Sequence, residues 1–386
     1  MAAMLPYGRQ SIDEDDIAAV AEALRSDFLT TGPRVEAFEA AFAEKVGAGH
    51  AVACSNGTAA LHLAMLALDI QPGEVVIAPS ITFLATANCA RFVGAEVVFA
   101  DVDPLTGLMT PDTLSEAMSR VGGRRLRAVL PVHLRGDTAE LPALKALAQV
   151  AGAVLVEDAP HALGSTLRFG NAVQQVGDCA YSAMATFSFH PVKTIATGEG
   201  GMVTTNDPAL AERLKRLRSH GMIRPEGADP WWYEMPEVGF NYRLPDILCA
   251  LGLSQLAKLD QFAARRRMLA ARYHDGLAAF APLLRPAARP DWSDPVLHLM
   301  VALIDFEAVG KTRRQVVDAL KARGVGTQVH YIPVHTQPYY RQRYGAMDLP
   351  GANAWYESCL SLPLYPGMDE ADVDRVIAAL GEVLSA

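Results

Sequence analysis

The stretch that decides the fold of this chain runs from residue 157 to residue 201. It reads EDAPHALGST at 157–166 and TFSFHPVKTIATGEGG at 186–201. Asp158 follows an apolar run at 153–156, so its carboxylate is expected at the carboxyl end of a parallel strand, where open α/β sheets bind ligands. His161, Ser188 and Lys193 lie in the same stretch. The stretch therefore predicts an α/β fold with a ligand site at one edge of its sheet.

The composition predicts a globular protein with more than one core. The chain has 386 residues, which exceeds the size at which a single core stops growing, so two domains are expected. Hydrophobic residues make up 51% and charged residues 20%, which excludes a disordered chain. The net charge of −9 argues against nucleic acid or an anionic membrane as the main partner. Small-molecule substrates are expected instead.

The cysteines and the apolar runs indicate the cellular compartment of the protein. The five cysteines are odd in number and lack CxxC spacing, which predicts reduced thiols and no metal site. The first ten residues, MAAMLPYGRQ, do not resemble a secretory leader, and no apolar run reaches about 18 residues. We therefore expect a cytoplasmic protein.

Periodicity predicts a parallel sheet covered by helices. Short apolar runs alternate with helix-like segments through the first half, a pattern typical of such sheets. The predicted strands are 51–54, 74–78, 96–99, 128–132, 153–156 and 296–305, and the predicted helices are 15–26, 59–68, 312–323 and 369–384. Ser11-Ile-Asp-Glu has the pattern of a capping box for the first helix. The proline-rich segment 282–295 predicts a connection between structural units. We place a large domain at 1–250 and a small domain at 251–386.

The side chains of the 157–201 stretch are suited to hold pyridoxal 5'-phosphate. Bonded through its aldehyde to an amine, this cofactor acts as a sink for electrons released at the neighbouring carbon. Lys193 lies in an apolar setting that favours the neutral, nucleophilic amine. Asp158 could hold the proton of the ring nitrogen, and His161 could donate to the ring oxygen. A surface lysine, a helix cap and a core histidine are the alternative roles, and the flanking GEGG and TFSF favour the cofactor site.

Two further segments predict the rest of a cofactor site. Ser55-Asn56-Gly57-Thr58 comes directly after a strand and before a helix, whose free N–H groups and positive dipole end favour a phosphate. Gly57 permits close approach, and Ser188 adds a hydroxyl. Phe83 is the candidate wall for the ring, although helix capping and core packing are common roles for these residue types.

Motifs along nearly the whole chain occur in the order found in one enzyme family. They are YGRQSIDEDDI (7–17), LTTGPRVEAFE (29–39), SNGTAALHLAMLAL (55–68), PSITFLATANCARFVGAEVVFADVDP (79–104), EDAPHALGS (157–165), TFSFHPVKTIATGEGG (186–201), GFNYRLPDILCALGLSQLAKLD (239–260) and QVHYIPVH (328–335). The chain resembles the DegT/DnrJ/EryC1/StrS sugar aminotransferases, pyridoxal-phosphate enzymes of the aspartate aminotransferase fold, type I. The resemblance implies a large domain with a mostly parallel seven-stranded sheet and a smaller carboxy-terminal α/β domain.

The resemblance also implies roles for individual residues. Lys193 matches the catalytic lysine that bonds to the cofactor. The implied cofactor contacts are Gly57, Thr58, Ala59, Phe83, Asp158, His161, Ser188, Lys193 and Asn241. The implied substrate contacts are Tyr7, Thr31, Gly32, Arg243, His330 and Tyr331. Asn241 resembles an asparagine that reaches the cofactor phosphate of the neighbouring subunit, which implies a homodimer with shared active sites.

Within the family, the motifs most resemble the enzymes that aminate C4 of a UDP-linked 4-keto-6-deoxy-N-acetylhexosamine with L-glutamate. That reaction serves pseudaminic acid and cell-surface glycan synthesis. Other nucleotide sugars stay open, namely GDP-4-keto-6-deoxymannose (perosamine), dTDP-4-ketosugars and UDP-4-keto-arabinose, as does C3 amination. Lys193 disfavours a dehydratase, in which histidine replaces the lysine, and its retention beside Asp158 and Ser188 disfavours a non-catalytic binding protein. The first strand is not followed by GxGxxG, which disfavours a nicotinamide enzyme.

Overall fold

A seven-stranded sheet forms the centre of the computed structural model, which describes residues 4–385. The strands of the first 205 residues are β1 His50–Cys54, β2 Val75–Pro79, β3 Glu96–Ala100, β4 Leu126–Val129, β5 Val154–Asp158, β6 Thr166–Phe169, β7 Ala172–Gln175, β8 Met184–Ser188 and β9 Gly201–Thr205. The sheet order is β1-β9-β8-β5-β4-β2-β3, and only β9 runs against its neighbours. The predicted mostly parallel sheet is confirmed.

Helices cover both faces of this sheet. They are α1 Glu14–Arg25, α2 Pro33–Val46, α3 Gly57–Ala67, α4 Leu84–Phe92, α5 Pro111–Ser119, α6 Leu141–Val150, α7 Pro208–Arg218 and α8 Asp246–Ala257. Alternate side chains of β2 enter opposite cores, with Val76 and Ala78 on one face and Val75 and Ile77 on the other. A strand buried on both faces has no polar side, so it reads as a continuous apolar run.

The first helix begins differently from the prediction. Asp13 is the N-cap of α1, and its side chain accepts hydrogen bonds from the N–H groups of Asp15 and Asp16 at 3.1 and 3.2 Å. The Asp16 carboxylate in turn accepts a hydrogen bond from the Asp13 N–H, which completes a capping box. The capping box predicted at Ser11 is therefore wrong, because aspartate caps a helix as well as serine does and Asp13 is closer to the helical residues.

The carboxy-terminal part contains a second sheet. Its elements are α9 Leu259–Leu277, β10 Leu284–Pro286, β11 Ser293–Asp294, β12 Met300–Ile304, α10 Arg313–Ala322, α11 Pro338–Tyr344, α12 Pro350–Ser358, β13 Cys359–Leu362 and α13 Glu370–Ser385. Strands β10, β12 and β13 form an antiparallel sheet, and β11 joins the β6–β7 hairpin. The segment 282–295, predicted as a plain connection, thus contributes two short strands.

Packing crosses the predicted domain boundary in both directions. Leu5 pairs with Val325 and packs into the core of the carboxy-terminal helices, while Tyr340 and Trp355 pack into a core of the large sheet. The boundary at residue 250 stays a prediction. None of the helices within residues 4–385 has the length and apolar character required to cross a bilayer.

Candidate active site

Asp158 ends strand β5 at the carboxyl edge of the sheet. Its backbone N–H donates to Pro131 at 2.9 Å, and its carbonyl accepts from the His133 N–H at 3.0 Å. Its buried carboxylate accepts a 2.5 Å hydrogen bond from Thr86 Oγ1. Burial raises the pKa of Asp158, and the hydrogen bond from Thr86 and the charge of Lys193 act in the opposite direction. The carboxylate is therefore fixed in place and lies close to a cation.

Lys193 lies in the loop between β8 and β9. The loop is tightened there by a hydrogen bond from the Lys193 N–H to the carbonyl of His190 at 2.8 Å. Burial lowers the pKa of Lys193 to about 8, and the Asp158 carboxylate opposes this shift. At pH 7.5 roughly a quarter of such amines are neutral, compared with about one in a thousand for a lysine of ordinary pKa. Lys193 is therefore prepared to attack a carbonyl.

Two glycines allow β9 and β8 to approach the start of helix α3. A Cβ on Gly201 would lie 2.4 Å from the carbonyl oxygen of Asn56, and a Cβ on Gly57 would lie 2.8 Å from Cβ of Ser188. Any larger residue would force these segments apart. The glycines of GEGG and SNGT thus bring the Ser188 hydroxyl to the amino end of α3.

The amino end of α3 offers free hydrogen-bond donors. The side chain of Asn56 caps the helix by accepting from the Ala59 N–H at 2.8 Å. Within residues 4–385 the N–H groups of Gly57 and Thr58 have no hydrogen-bond partner. These two donors and the Ser188 hydroxyl fit a phosphate group at the positive end of the helix dipole. The Ala59 N–H is already bonded, so its phosphate contact stays a prediction.

Aromatic rings form one wall of the site. Tyr331 Oη lies 3.1 Å from Nε2 of His161, and the two rings are nearly parallel, with their planes inclined by 17°. Phe83 is 57% exposed, and its ring centre lies 6.2 Å from that of Tyr331. Tyr7 packs against His330 at 5.5 Å, and burial lowers the pKa of His330 to about 3. The exposed face of Phe83 leaves it available to cover a flat ligand ring.

Four other predicted residues form no hydrogen bond, ion pair or ring contact with this cluster within residues 4–385. Gly32 is committed to structure, because its N–H donates to Asp246 at 2.7 Å and a Cβ there would collide with Phe28. Thr31 is exposed, and its hydroxyl donates to the carbonyl of Thr30. Asn241 is exposed and pairs through its backbone with Ser219. These contacts do not bring Thr31, Gly32 or Asn241 to Lys193.

Arg243 is the fourth. Its guanidinium forms no hydrogen bond or salt bridge within residues 4–385. A cation without an internal partner is available to bind an anionic group of a ligand.

The sequence reasoning missed a buried network behind Asp158. His133 Nδ1 accepts from the Ala139 N–H at 3.1 Å, so Nε2 carries the proton and donates to Glu157 at 2.9 Å. Ser182 donates to the other oxygen of Glu157 at 2.5 Å. Successive side chains of a strand alternate between its faces, so Glu157 lies on the face of β5 opposite to Asp158, where His133 and Ser182 bind it. Thr86 was missed as well, although its position one helical turn after Phe83 could have placed it near the site.

These observations define a class of enzyme. A lysine of lowered pKa, a fixed carboxylate at a strand end and a helix start with free N–H groups fit pyridoxal phosphate on this sheet. No group of three or more His, Cys, Asp or Glu side chains in the described part of the chain is arranged to hold a metal ion.

The chain belongs to the DegT/DnrJ/EryC1/StrS aminotransferase family, whose model matches residues 10–381. It is a pyridoxal-phosphate-dependent sugar aminotransferase. Helicobacter pylori PseC, an aminotransferase of pseudaminic acid biosynthesis, is 29% identical with a TM-score of 0.90, and 99% of each chain is covered. The aminotransferase TlmJ from Streptoalloteichus hindustanus is 34% identical with a TM-score of 0.90 and the same coverage. Spr1654 from Streptococcus pneumoniae, solved in a PLP form, is 27% identical with a TM-score of 0.89, covering 99% of each chain.

Proposed function

We propose that this enzyme transfers the amino group of L-glutamate to C4 of a UDP-linked 4-keto-6-deoxy-N-acetylhexosamine. The products are 2-oxoglutarate and the corresponding 4-aminosugar nucleotide. The observation that carries the amino-transfer chemistry is the lowered pKa of Lys193 next to the fixed carboxylate of Asp158. We place the reaction in the cytosol, since all five cysteines are unpaired thiols.

The residues around Lys193 divide the work between binding and proton transfer. Asp158, held by Thr86, keeps a proton on the ring nitrogen of the cofactor. Gly57 and Thr58 bind the phosphate through their N–H groups. Lys193 would hold the cofactor through its aldehyde, and its Nζ, when freed by the amino donor, would be the base that accepts the proton from the α-carbon of the donor. A neutral amine is required for that step, and burial supplies it.

The sugar assignment rests on likeness of motifs and on a relative. PseC acts in pseudaminic acid biosynthesis, and the EDAPHALGS and HPVKTIATGEGG segments resemble that enzyme type. Arg243, with no partner inside the described chain, is a candidate for the diphosphate of the nucleotide or the carboxylate of glutamate. Because the identity to PseC is 29%, another nucleotide 4-ketosugar is the second candidate.

A substrate panel tests the proposal. The enzyme is incubated with L-glutamate and, in turn, UDP-, GDP- and dTDP-linked 4-ketosugars, and product masses are measured. We expect the amine on the UDP-linked N-acetylhexosamine and no product with the Lys193→Ala variant. Amination of only a GDP- or dTDP-linked sugar would show that the UDP assignment is wrong, and no amination of any ketosugar would contradict the wider function.

We also propose a homodimer in which Asn241 completes the site of the partner subunit. An exposed aromatic segment near Asn241 supports a second copy as its occupant. It consists of Trp231, Trp232, Tyr233, Met235 and Val238, which are 52% to 73% exposed in the single chain. Clustered exposed aromatic side chains of this kind mark protein interfaces. The backbone bridges Ile223–Glu234 and Ser219–Asn241 attach this segment and Asn241 to the same stretch of the chain, residues 219–223.

Mixing two inactive variants tests the shared site. Lys193→Ala and Asn241→Ala subunits are combined in equal amounts, and exchange is verified by mass. Each mixed dimer then has one site with both defects and one intact site, so about a quarter of wild-type activity is expected after random exchange. Mixing each variant with wild-type protein is the control. Verified exchange without any recovered activity would rule out a shared site.

A further inference from the structure

The ring of His298 has no role in the site described so far. The residue is only 4% exposed, and its ring centre lies 4.5 Å from that of His161 with the planes inclined by 36°. Its Nδ1 is buried and has no hydrogen-bond partner within residues 4–385. Burying a polar atom without a hydrogen-bond partner is unfavourable.

Arg135 connects the two histidines through its own peptide groups. Its N–H donates to Nδ1 of His161 at 3.4 Å, and its carbonyl accepts from the His298 N–H at 2.7 Å. Arg135 has a φ of 65°, a left-handed conformation that is unusual for a residue other than glycine. Its side chain is fixed by Asp137 at 2.6 Å and by the Ala288 carbonyl at 2.7 Å. The strained backbone is therefore held in the one conformation that serves both rings.

These contacts determine which ring nitrogen of His161 carries the proton. A backbone N–H can only donate, so Nδ1 of His161 is the acceptor and Nε2 carries the hydrogen, facing Tyr331. At 3.4 Å the bond from Arg135 is near the outer limit for a hydrogen bond and does not hold the ring by itself. The face of His298 is the second restraint.

The surrounding charges keep both rings neutral. Burial lowers the pKa of His161 and of His298 well below the usual value, and the positive charge of Lys193 acts in the same direction on both. Arg266, which donates to the His298 carbonyl, adds to the effect on His298. Two adjacent imidazoles that are both neutral avoid like-charge repulsion.

We propose that His298 is a positioning residue for His161. Its ring packs on the face of His161 and, with the Arg135 backbone, keeps His161 in the Nε2–H tautomer that can donate to the ring oxygen of the cofactor. The inference rests on the proposed cofactor role of His161. The face of the His298 ring provides the restraint, and the unpaired Nδ1 is not required for it.

Two variants of His298 and one matched control test this inference. His298→Phe retains a flat ring and removes the unpaired nitrogen, whereas His298→Ala removes the ring. His274→Ala removes a half-buried histidine of α9 outside the stack. Imidazole 15N shifts of cofactor-free protein report the His161 tautomer, with His161→Gln for assignment. Quenching of tryptophan fluorescence reports the dissociation constant of pyridoxal phosphate.

The variants have different expected results. His298→Phe should keep the Nε2–H tautomer, bind the cofactor within about twofold of wild type and unfold at the same or a higher temperature. His298→Ala should give exchanging tautomers and bind the cofactor about tenfold more weakly. His274→Ala should change neither readout, even if it lowers the unfolding temperature.

Two outcomes would overturn the inference. Unchanged tautomer and affinity in His298→Ala would show that the ring is dispensable, and equal damage in His298→Phe would show that the nitrogen matters and not the ring face. If His298→Ala does not fold, His298→Leu replaces it, because leucine fills the space without a flat face. The tautomer is read without cofactor, so this result stands even if Lys193 proves not to bind pyridoxal phosphate.

Discussion

Raising the pH should accelerate covalent capture of pyridoxal phosphate by Lys193 over a range set by its unusual pKa. Burial brings that pKa to about 8. The neutral fraction of the amine then rises from about one tenth at pH 7 to about nine tenths at pH 9, a gain of roughly tenfold. A lysine of ordinary pKa gains roughly a hundredfold over the same range and does not level off.

Stopped-flow absorbance of cofactor-free enzyme mixed with pyridoxal phosphate measures the rate. The same reaction with a simple alkyl amine corrects for the pH dependence of the cofactor itself. Asp158 raises the pKa of Lys193, so Asp158→Asn should move the midpoint of the corrected profile to lower pH. Asp178→Asn, which removes a half-buried carboxylate whose pKa is raised by burial to about 6, is the matched control and should leave the midpoint in place.

A corrected rate constant for capture that still rises tenfold per pH unit above pH 9 would contradict the lowered pKa of Lys193. A midpoint that moves upward in Asp158→Asn would contradict the expected sign of the interaction between the carboxylate and the amine.

Three further predictions concern stability and backbone fit. The pKa of Glu96 is lowered to about 2, chiefly by Arg343. Glu96 therefore stabilises the fold above its unfolded pKa near 4.5 and loses that effect as the pH falls toward 2. In urea titrations the free energy of unfolding of the wild type should exceed that of Glu96→Gln at pH 6 and equal it near pH 2. Asp137→Ala leaves the buried guanidinium of Arg135 without its carboxylate partner and should lower the free energy of unfolding by about 3–5 kcal/mol in a urea titration. A loss below about 1 kcal/mol would show that this ion pair does not stabilise the fold. Gly201→Ala places a Cβ 2.4 Å from a backbone oxygen and should weaken cofactor binding by at least about tenfold in a fluorescence titration; wild-type affinity would show that the close approach is not needed.

The fold could be predicted because its strands are buried on both faces. Runs such as 75–79 have no polar positions, so they stand out against the amphipathic helices between them. The strands at 284–286 and 293–294 could not be found in the same way, since prolines interrupt the segment and the second strand pairs with the distant residues 166–167. The start of α1 was misplaced because two capping patterns overlap within three residues.

The candidate site could be predicted where sequence neighbours act together. Asp158 and Lys193 belong to motifs in which the strand, the loop and the glycines all indicate the same place. His298 and Arg135 gave no such signal, because their contacts with His161 depend on loops from distant parts of the chain and on one left-handed residue. Thr86 was hidden among buried residues of α4 that pack in the core, such as Ala87 and Cys89.

The most direct test asks whether pyridoxal phosphate is bonded to Lys193. The enzyme loaded with the cofactor is reduced with borohydride and digested, and its peptides are mapped by mass. We expect the reduced cofactor on the peptide that contains Lys193, and no reduced cofactor on the Lys193→Arg variant. Label on a different lysine, or full turnover in Lys193→Arg, would contradict this expectation.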